Sequence, residues 1–307
     1  MTARPAFADR SDEPGAEAPG LVLAADDLVV DYPLKHGRKL RALDQVSFRL
    51  GAGEVLGVVG ESGSGKSTLG KVVAGFLNPT SGRVRYPSDA GGLAPREQRR
   101  PRGHRDIQMI FQESAMALNP RLPVWRIVGE AVAPGMSSYP ARGRPRVAEL
   151  RARAAEHLER AGLPAAVFAE KRAAELSGGE KQRVAIARAL AASPAAMVCD
   201  ESVSALDVSI RAVVLNLFQR LSREAGIAMV FISHDISVVA HLADRLAVMY
   251  QGRIVEYGEP AAVIEDPQDE YTRKLIAAVP TLERGAAPIG RELDPPYAGR
   301  INTRGEI

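Results

Sequence analysis

"EVLGVVGESGSGKSTLGKVVAGFL", residues 54–77, carries the reading of this 307-residue chain. An apolar run, VLGVV, ends at Gly60, and GESGSGKST (Gly60 to Thr68) matches G-x-x-x-x-G-K-[ST]. Beyond it Leu69, Val72, Val73, Phe76 and Leu77 fall at i, i+3, i+4, i+7 and i+8, which predicts a helix running through Leu77. Strand, glycine loop and helix in this order form a setting in which backbone N–H groups turn inward around phosphates. Gly60, Gly63 and Gly65 permit the turn, with Glu61, Ser62 and Ser64 between them. The helix beginning near Lys66 adds the positive end of its dipole. Lys66 is expected to reach the β- and γ-phosphates and the Ser67 hydroxyl to meet Mg2+, with Thr68 closing the motif. The stretch predicts a nucleoside triphosphate site.

Outward from this loop the chain alternates strands and helices. LVLAADDLVVDY and VSFRL read as strands upstream, and DIQMIFQ as a strand closing at Gln112. AAMVCDE and IAMVFISHD repeat the buried-strand pattern, and RLAVMY and RIVEYG flank Gln251–Gly252 as a hairpin. Residues 113–175 are helical in pattern, with Leu150, Ala154 and Leu158 on one face and a loop at PGMSSYPARGRPR. This predicts an α/β fold, a parallel sheet covered by helices with antiparallel strands at its margins and a helical insertion. The division is a disordered tail over 1–20, a domain over 21–282 with the insertion at 113–175, and a tail over 283–307. No internal repeat is visible.

Composition narrows the classes. Hydrophobic residues make 46% and charged residues 25% of the chain, ordinary for a soluble globular protein. The net charge is +3, and Arg96, Arg99, Arg100, Arg102 and Arg105 cluster in a polar segment that reads as a solvated loop rather than a nucleic-acid patch. Aromatics are too few for a base-stacking platform. One cysteine, Cys199, excludes an internal disulfide or a cysteine-ligated cluster, and its apolar neighbours predict a structural role. No apolar run approaches the length needed to cross a bilayer, and the first twenty residues lack the apolar core of a signal peptide, so a cytosolic protein is expected.

Two further stretches carry chemistry. AAMVCDE delivers Asp200 to the C-terminal end of a strand, where a carboxylate can hold magnesium through water. Glu201 follows at once and projects differently. It is expected to be the general base that activates an attacking water, a role worth about 10²–10⁴-fold in rate. In LSGGEKQRVAIARAL, residues 176–190, Ser177 and Glu180 have capping-box spacing, so a helix should begin at Ser177. Its free N–H groups and positive dipole end suit a γ-phosphate, and Gly178 and Gly179 allow close approach. Taken alone, this is an ordinary capped helix.

In their order along the chain these motifs resemble the ATP-binding subunit of ATP-binding cassette (ABC) transporters, over roughly residues 21–282. LSGGE (Leu176, Ser177, Gly178, Gly179, Glu180) resembles the family signature, FQES the glutamine loop through Gln112, SALD the D-loop through Asp207, and ISHD the switch histidine through His234. The resemblance implies a P-loop NTPase (RecA-like) core with an N-terminal antiparallel β-subdomain and an inserted α-helical subdomain. It implies ATP and Mg2+ as ligands, with ATP held between the P-loop of one subunit and the signature of a second ATPase subunit, the same or homologous. Gln112 is then a magnesium or water contact and His234 a γ-phosphate contact, while Asp207 belongs to the dimer seam. Tyr32 is the candidate for stacking on adenine, although PLKHGRKLRAL places a longer connection than usual before the next strand. Glu180 stands where the family more often has glutamine.

ALNPRLPVWRIVGEAV, ESVSALDVSIRAVVLNL and GRIVEYGEPAAVIEDPQDEYTRKLIAAVP are similar to the oligopeptide, dipeptide and nickel importer branch. Asp269-Glu270 replace the branch's His-Pro before Tyr271-Thr272, and Ser202 stands where it often has proline. The branch implies two transmembrane permease subunits as partners, with an extracytoplasmic substrate-binding protein engaged indirectly. It also implies a peripheral position on the cytoplasmic face of the inner membrane and no nucleic acid. Nickel, glutathione or oligosaccharide cargo remains an alternative to peptides. From another class, a soluble ABC ATPase acting on nucleic acid or the ribosome is the rival.

Overall fold

Buried along their whole length, the runs Val55–Val59, Ala196–Asp200 and Ala228–Ile232 can be stable only between two covering layers. The computed structural model supplies both. It describes residues 20–87, 93–95, 107–112, 117–132, 147–204 and 206–278. The two tails beyond these limits, the arginine-rich segment 96–105 and the stretch PGMSSYPARGRPR lie outside the described residues.

The strands are β1 Leu21–Pro33, β2 Lys39–Gly51, β3 Val55–Val59, β4 Ser81–Pro87, β5 Leu93–Pro95, β6 Ile107–Ile110, β7 Ala196–Asp200, β8 Ala228–Ile232, β9 Arg245–Tyr250 and β10 Arg253–Gly258. The helices are α1 Lys66–Val73, α2 Val124–Val132, α3 Val147–Arg160, α4 Ala165–Phe168, α5 Gly178–Leu190, α6 Val208–Arg223, α7 Ile236–Leu242, α8 Pro260–Glu265 and α9 Glu270–Ala277. One sheet has the order β10-β9-β3-β8-β7-β6, parallel except for the β9–β10 hairpin. The other is antiparallel, in the order β2-β1-β4-β5.

Side chains alternate across the parallel sheet with the period of two that strands impose. Val59, Met197, Cys199, Phe231 and Val248 face a core shared with α2, α3 and α5–α7. Leu56, Val58, Val198, Val230 and Ile232 face a second core shared with α1 and the antiparallel sheet. Cys199 is fully buried in the first of these cores, and burial pushes its thiol far above the ordinary range. Helices α2–α4 lie in sequence between β6 and β7, and α2 and α3 pack on α5. Ala154 and Leu158 are buried on the predicted face of α3.

Three sequence expectations are corrected. Helix α1 ends at Val73 rather than running to Leu77, because Gly75 adopts a left-handed φ of 74°. The Gly75 amide bonds to the Val72 carbonyl and the Phe76 amide to that of Lys71, a Schellman termination. Phe76 therefore leaves the helix face and tilts against Phe111 at 5.4 Å. Strand β6 stops at Ile110, so Gln112 lies in the turn beyond it. Finally, the connection after Tyr32 is short. A 3₁₀ turn at Lys35–Gly37 carries β1 directly into β2, with Pro33 paired to Lys39 and Tyr32 to Leu40. The first residues of β2 are polar and exposed, which hid a strand held by its ladder rather than by burial.

Candidate active site

Four neighbouring strands of the parallel sheet end along one edge, and each delivers part of the predicted constellation there. Register sets Val58 of β3 beside Ile232 of β8, Ile232 beside Asp200 of β7, and Cys199 beside Ile110 of β6. The phosphate loop therefore follows β3, His234 follows β8, Asp200 and Glu201 end β7, and Gln112 follows β6. The crevice beyond strand C-termini is where open α/β sheets bind ligands.

Within the loop Gly60 and Gly65 have φ of 149° and 107°. A Cβ at Gly60 would overlap the Met249 carbonyl, and one at Gly65 the Ala42 carbonyl. Glycine is required at both by space as well as by conformation. Lys66 is buried, and its Nζ donates to the carbonyls of Gly60 and Glu61, each at 2.7 Å, and to Ser64 Oγ at 3.3 Å. Burial pushes its pKa below the ordinary lysine value, against the pull of Glu201, Asp200 and Glu61. Glu61, Ser62, Gly63 and Ser67 are exposed at the loop surface.

Ser67 Oγ donates to Asp200 Oδ1 at 3.2 Å. Asp200 is only 7% exposed, and burial raises its pKa despite the Ser67 bond. Glu201 takes a left-handed φ of 46°, a strained conformation for a non-glycine residue, held by its amide's bond to the Ile232 carbonyl at 3.0 Å. Its carboxylate accepts Gln112 Nε2 at 2.9 Å and lies 3.5 Å from His234 Nδ1. The structure thus brings Lys66, Ser67, Gln112, Asp200, Glu201 and His234 to one edge. The Tyr32 hydroxyl stands 3.5 Å from Thr68 Oγ1 while its ring packs partly on the core below β1.

The signature residues lie at the start of α5. Glu180 N–H donates to Ser177 Oγ at 3.3 Å and Ser177 N–H to Glu180 Oε2 at 2.7 Å, so the expected capping box is formed. Burial tends to raise the Glu180 pKa, but the bonds from Ser177 outweigh it and hold the carboxyl below its ordinary value. Leu176 is buried beneath the turn, Ser177 and Gly178 are exposed, and Gly179 is buried against Ile210 of α6. Asp207 is exposed at the start of α6, its carbonyl accepting the Arg211 amide. The Ser177–Glu180 box closes on itself, whereas the loop around Lys66 closes on Asp200.

Tyr271 was missed by the sequence reading. Its hydroxyl accepts the Glu61 amide at 2.8 Å from 210 residues away, a pairing no local pattern could reveal.

A sequence model of the family described as "ABC transporter" matches residues 43–204. A probable peptide ABC transporter ATP-binding protein, y4tS of Sinorhizobium fredii, is 42% identical over 287 residues, covering 91% of this chain and 77% of that protein. The oligopeptide transport ATP-binding protein OppF of Escherichia coli is 42% identical over 269 residues, covering 85% of this chain and 78% of that protein. Among solved structures, the dimeric post-hydrolysis state of the ATP-binding cassette MJ0796 bound to ADP and Pi superposes with a TM-score of 0.63 at 28% identity. That match covers 78% of this chain and 98% of that one.

Proposed function

The chain belongs to the ABC transporter family, and from that membership we propose that it is the ATP-hydrolysing subunit of a peptide importer. The observation that carries the ATPase reading is the Glu201 carboxylate, held between Gln112 and His234 beside the Lys66 loop. The peptide cargo rests on the named relatives, which are peptide and oligopeptide transport proteins.

The chemistry assigned to the site is ATP plus water giving ADP and phosphate. Inward N–H groups of the loop and the Lys66 ammonium hold the β- and γ-phosphates, Lys66 keeping the Gly60 carbonyl and exchanging its Glu61 and Ser64 partners for phosphate oxygens. Glu201 takes a proton from the attacking water, and Gln112 and His234 keep its carboxylate aimed. The adenine lies against Tyr32. Ser67 Oγ and Asp200 Oδ1, two hard oxygens 3.2 Å apart with the carboxylate uncomfortable in its burial, fit a divalent cation that draws its other ligands from phosphate and water. Magnesium held there would neutralise charge on the triphosphate. Among the described residues no group of three or more His, Cys, Asp or Glu could hold a metal without such help.

The second surface, Ser177 to Glu180, meets the γ-phosphate bound by a partner subunit, so two ATPase subunits close over nucleotide. Closure can drive motion because ATP bridges the surfaces only in the closed state. No described helix is long and apolar enough to cross a membrane. On the importer reading, permease partners form the passage and this subunit sits peripherally on the cytoplasmic face.

The test is purification from native membranes with and without ATP, followed by phosphate-release assays across protein concentration. Co-purification with two permeases and a rate per subunit that rises with concentration are expected. A soluble chain whose ATPase is stimulated by nucleic acid would overturn the transport reading.

A further inference from the structure

We propose that Tyr271, far outside the nucleotide motifs, is a positioning residue that holds the Gly60–Glu61 peptide plane and, through it, the phosphate-loop lysine. The inference rests on the ATPase reading and adds to it a residue from outside the nucleotide motifs.

The segment DPQDEYTRKL, residues 266–275, ties α9 to the sheet. Glu256 of β10 is buried, and its two carboxylate oxygens accept the amides of Gln268 at 2.9 Å and Asp269 at 3.1 Å. Asp269 in turn caps α9 by accepting the Tyr271 amide at 2.8 Å. Thr272 is fully buried, while Leu275 and Ile276 pack on the core. The start of α9 is thus fixed to the sheet, and Tyr271 has little freedom to drift.

Strand β9 brings the opposite wall. Its last residue, Tyr250, stacks on Tyr271 with ring centroids 4.2 Å apart and planes at 27°. The carbonyl before it, that of Met249, fills the space a Cβ at Gly60 would need. The tyrosine pair and the first glycine of the loop are therefore packed against one strand end.

The contact itself has a specific geometry. Glu61 N–H and the Gly60 carbonyl belong to the same peptide unit. The N–H donates to Tyr271 Oη at 2.8 Å, and the carbonyl accepts Lys66 Nζ at 2.7 Å. One plane is gripped at both ends, and each bond polarises the other. Without the phenolic oxygen the N–H would need another acceptor, and the plane could rotate, carrying the lysine's carbonyl partner with it. Burial raises the Tyr271 pKa, the Glu61 bond opposing it, so the phenol stays neutral at physiological pH.

Tyr271→Phe removes only the acceptor and keeps the ring stack. In the nucleotide-free chain, hydrogen exchange at the loop peptide around Glu61 should quicken by about 2–10-fold, the range for one lost hydrogen bond. The Kd for mant-ATP with magnesium, and the KM for ATP, should rise by a similar factor, about 2–10-fold, with kcat and Tm near wild type. A merely structural role would lower Tm and leave this split absent. Tyr250→Phe, which keeps the stack and removes a hydroxyl bonded to Gln251 Nε2 at 3.2 Å rather than to the Glu61 amide, should leave Kd unchanged. An unchanged Kd in Tyr271→Phe, with or without faster exchange, overturns the positioning role, as does an equal shift in Tyr250→Phe. Failure of the wild type to bind mant-ATP would instead sink the ATPase reading. Exchange at Glu61 would then decide alone whether Tyr271 holds the loop.

Discussion

Two adjacent glycines, Gly178 and Gly179, should respond to alanine in opposite directions. Neither has a left-handed φ, so alanine is conformationally acceptable at both. Restricting the unfolded chain should then stabilise by about 0.4–1 kcal/mol. A Cβ at Gly178 meets nothing within 4 Å, so that gain should appear undiminished. At about 2–4 °C per kcal/mol for a chain of this size, Gly178→Ala should raise Tm by about 1–4 °C. A Cβ at Gly179 would overlap Ile210 Cγ2, with Cδ1 at 3.4 Å and Cβ at 3.6 Å. Ile210 is β-branched and stiff at χ1, so Cγ2 cannot swing away without moving its second branch. Overpacking costs about 1–3 kcal/mol, leaving Gly179→Ala destabilised by up to about 2.6 kcal/mol and lowered in Tm by up to about 10 °C.

The identity of the clashing atom gives the reasoning its sharpest test. Ile210→Ala deletes Cγ2, whereas Ile210→Val retains it. Thermal melts of the four single and two double variants should give a favourable coupling of about 1–2 kcal/mol for Gly179→Ala with Ile210→Ala, and none with Ile210→Val. Hydrolysis should separate from stability at the neighbouring site. Gly178→Ala places a methyl on the surface proposed to meet the partner's triphosphate, so its ATPase rate should fall by about 10–100-fold even as Tm rises. If Gly179→Ala stabilises as Gly178→Ala does, or if Ile210→Val rescues as well as Ile210→Ala, the packing argument fails.

Glu201→Gln should lower kcat by about 10²–10⁴-fold while mant-ATP still binds and a dimer accumulates in ATP on gel filtration; undiminished phosphate release would refute its assignment as base. Burial holds the Asp200 pKa above its unfolded value, so between the two the native chain binds more protons and loses stability as pH rises. In nucleotide-free, magnesium-free buffer Asp200→Asn should therefore melt above wild type at pH 8, the gap closing as pH falls into the carboxylate range, while magnesium-dependent ATP binding is lost. A wild type more stable throughout would contradict this. Cys199, buried and with its thiol pushed far up, should ignore a thiol reagent in the native protein and react once guanidinium unfolds the chain.

What could be read from the chain alone follows from how local each physical demand is. The phosphate loop, the Ser177–Glu180 box and the Gln251–Gly252 turn each satisfy their requirements within a few residues, and each was legible. At the turn, Gln251 and Gly252 have φ of 47° and 81°, as a type I′ hairpin needs. Strands β3, β7 and β8 were equally plain, because a strand buried on both faces must be apolar throughout. The polar opening of β2 carried no such signal. Its register with β1 is fixed by backbone bonds, which leave no mark on side-chain pattern. The end of α1 shows the converse. The apolar spacing ran on to Leu77, yet Gly75 in the left-handed region stopped the helix two residues earlier, and backbone conformation prevailed over periodicity.

The edge at which Lys66, Gln112, Asp200, Glu201 and His234 meet is set by sheet order, which the chain does not spell out. Strands β3, β8, β7 and β6 are adjacent in space but lie far apart in sequence, and the chain visits β3 and β6 before it returns to β7 and β8. The motifs could be recognised singly because each ends an apolar run, but their meeting needed the crossover connections that parallel pairing demands. Tyr271 lay beyond even this reasoning. It reaches Glu61 because the β9–β10 hairpin turns the chain back, and because Glu256 then receives the two amides that lead into α9. Each bond in that relay is ordinary. Only their succession carries a residue from outside the nucleotide motifs onto the peptide that holds the lysine.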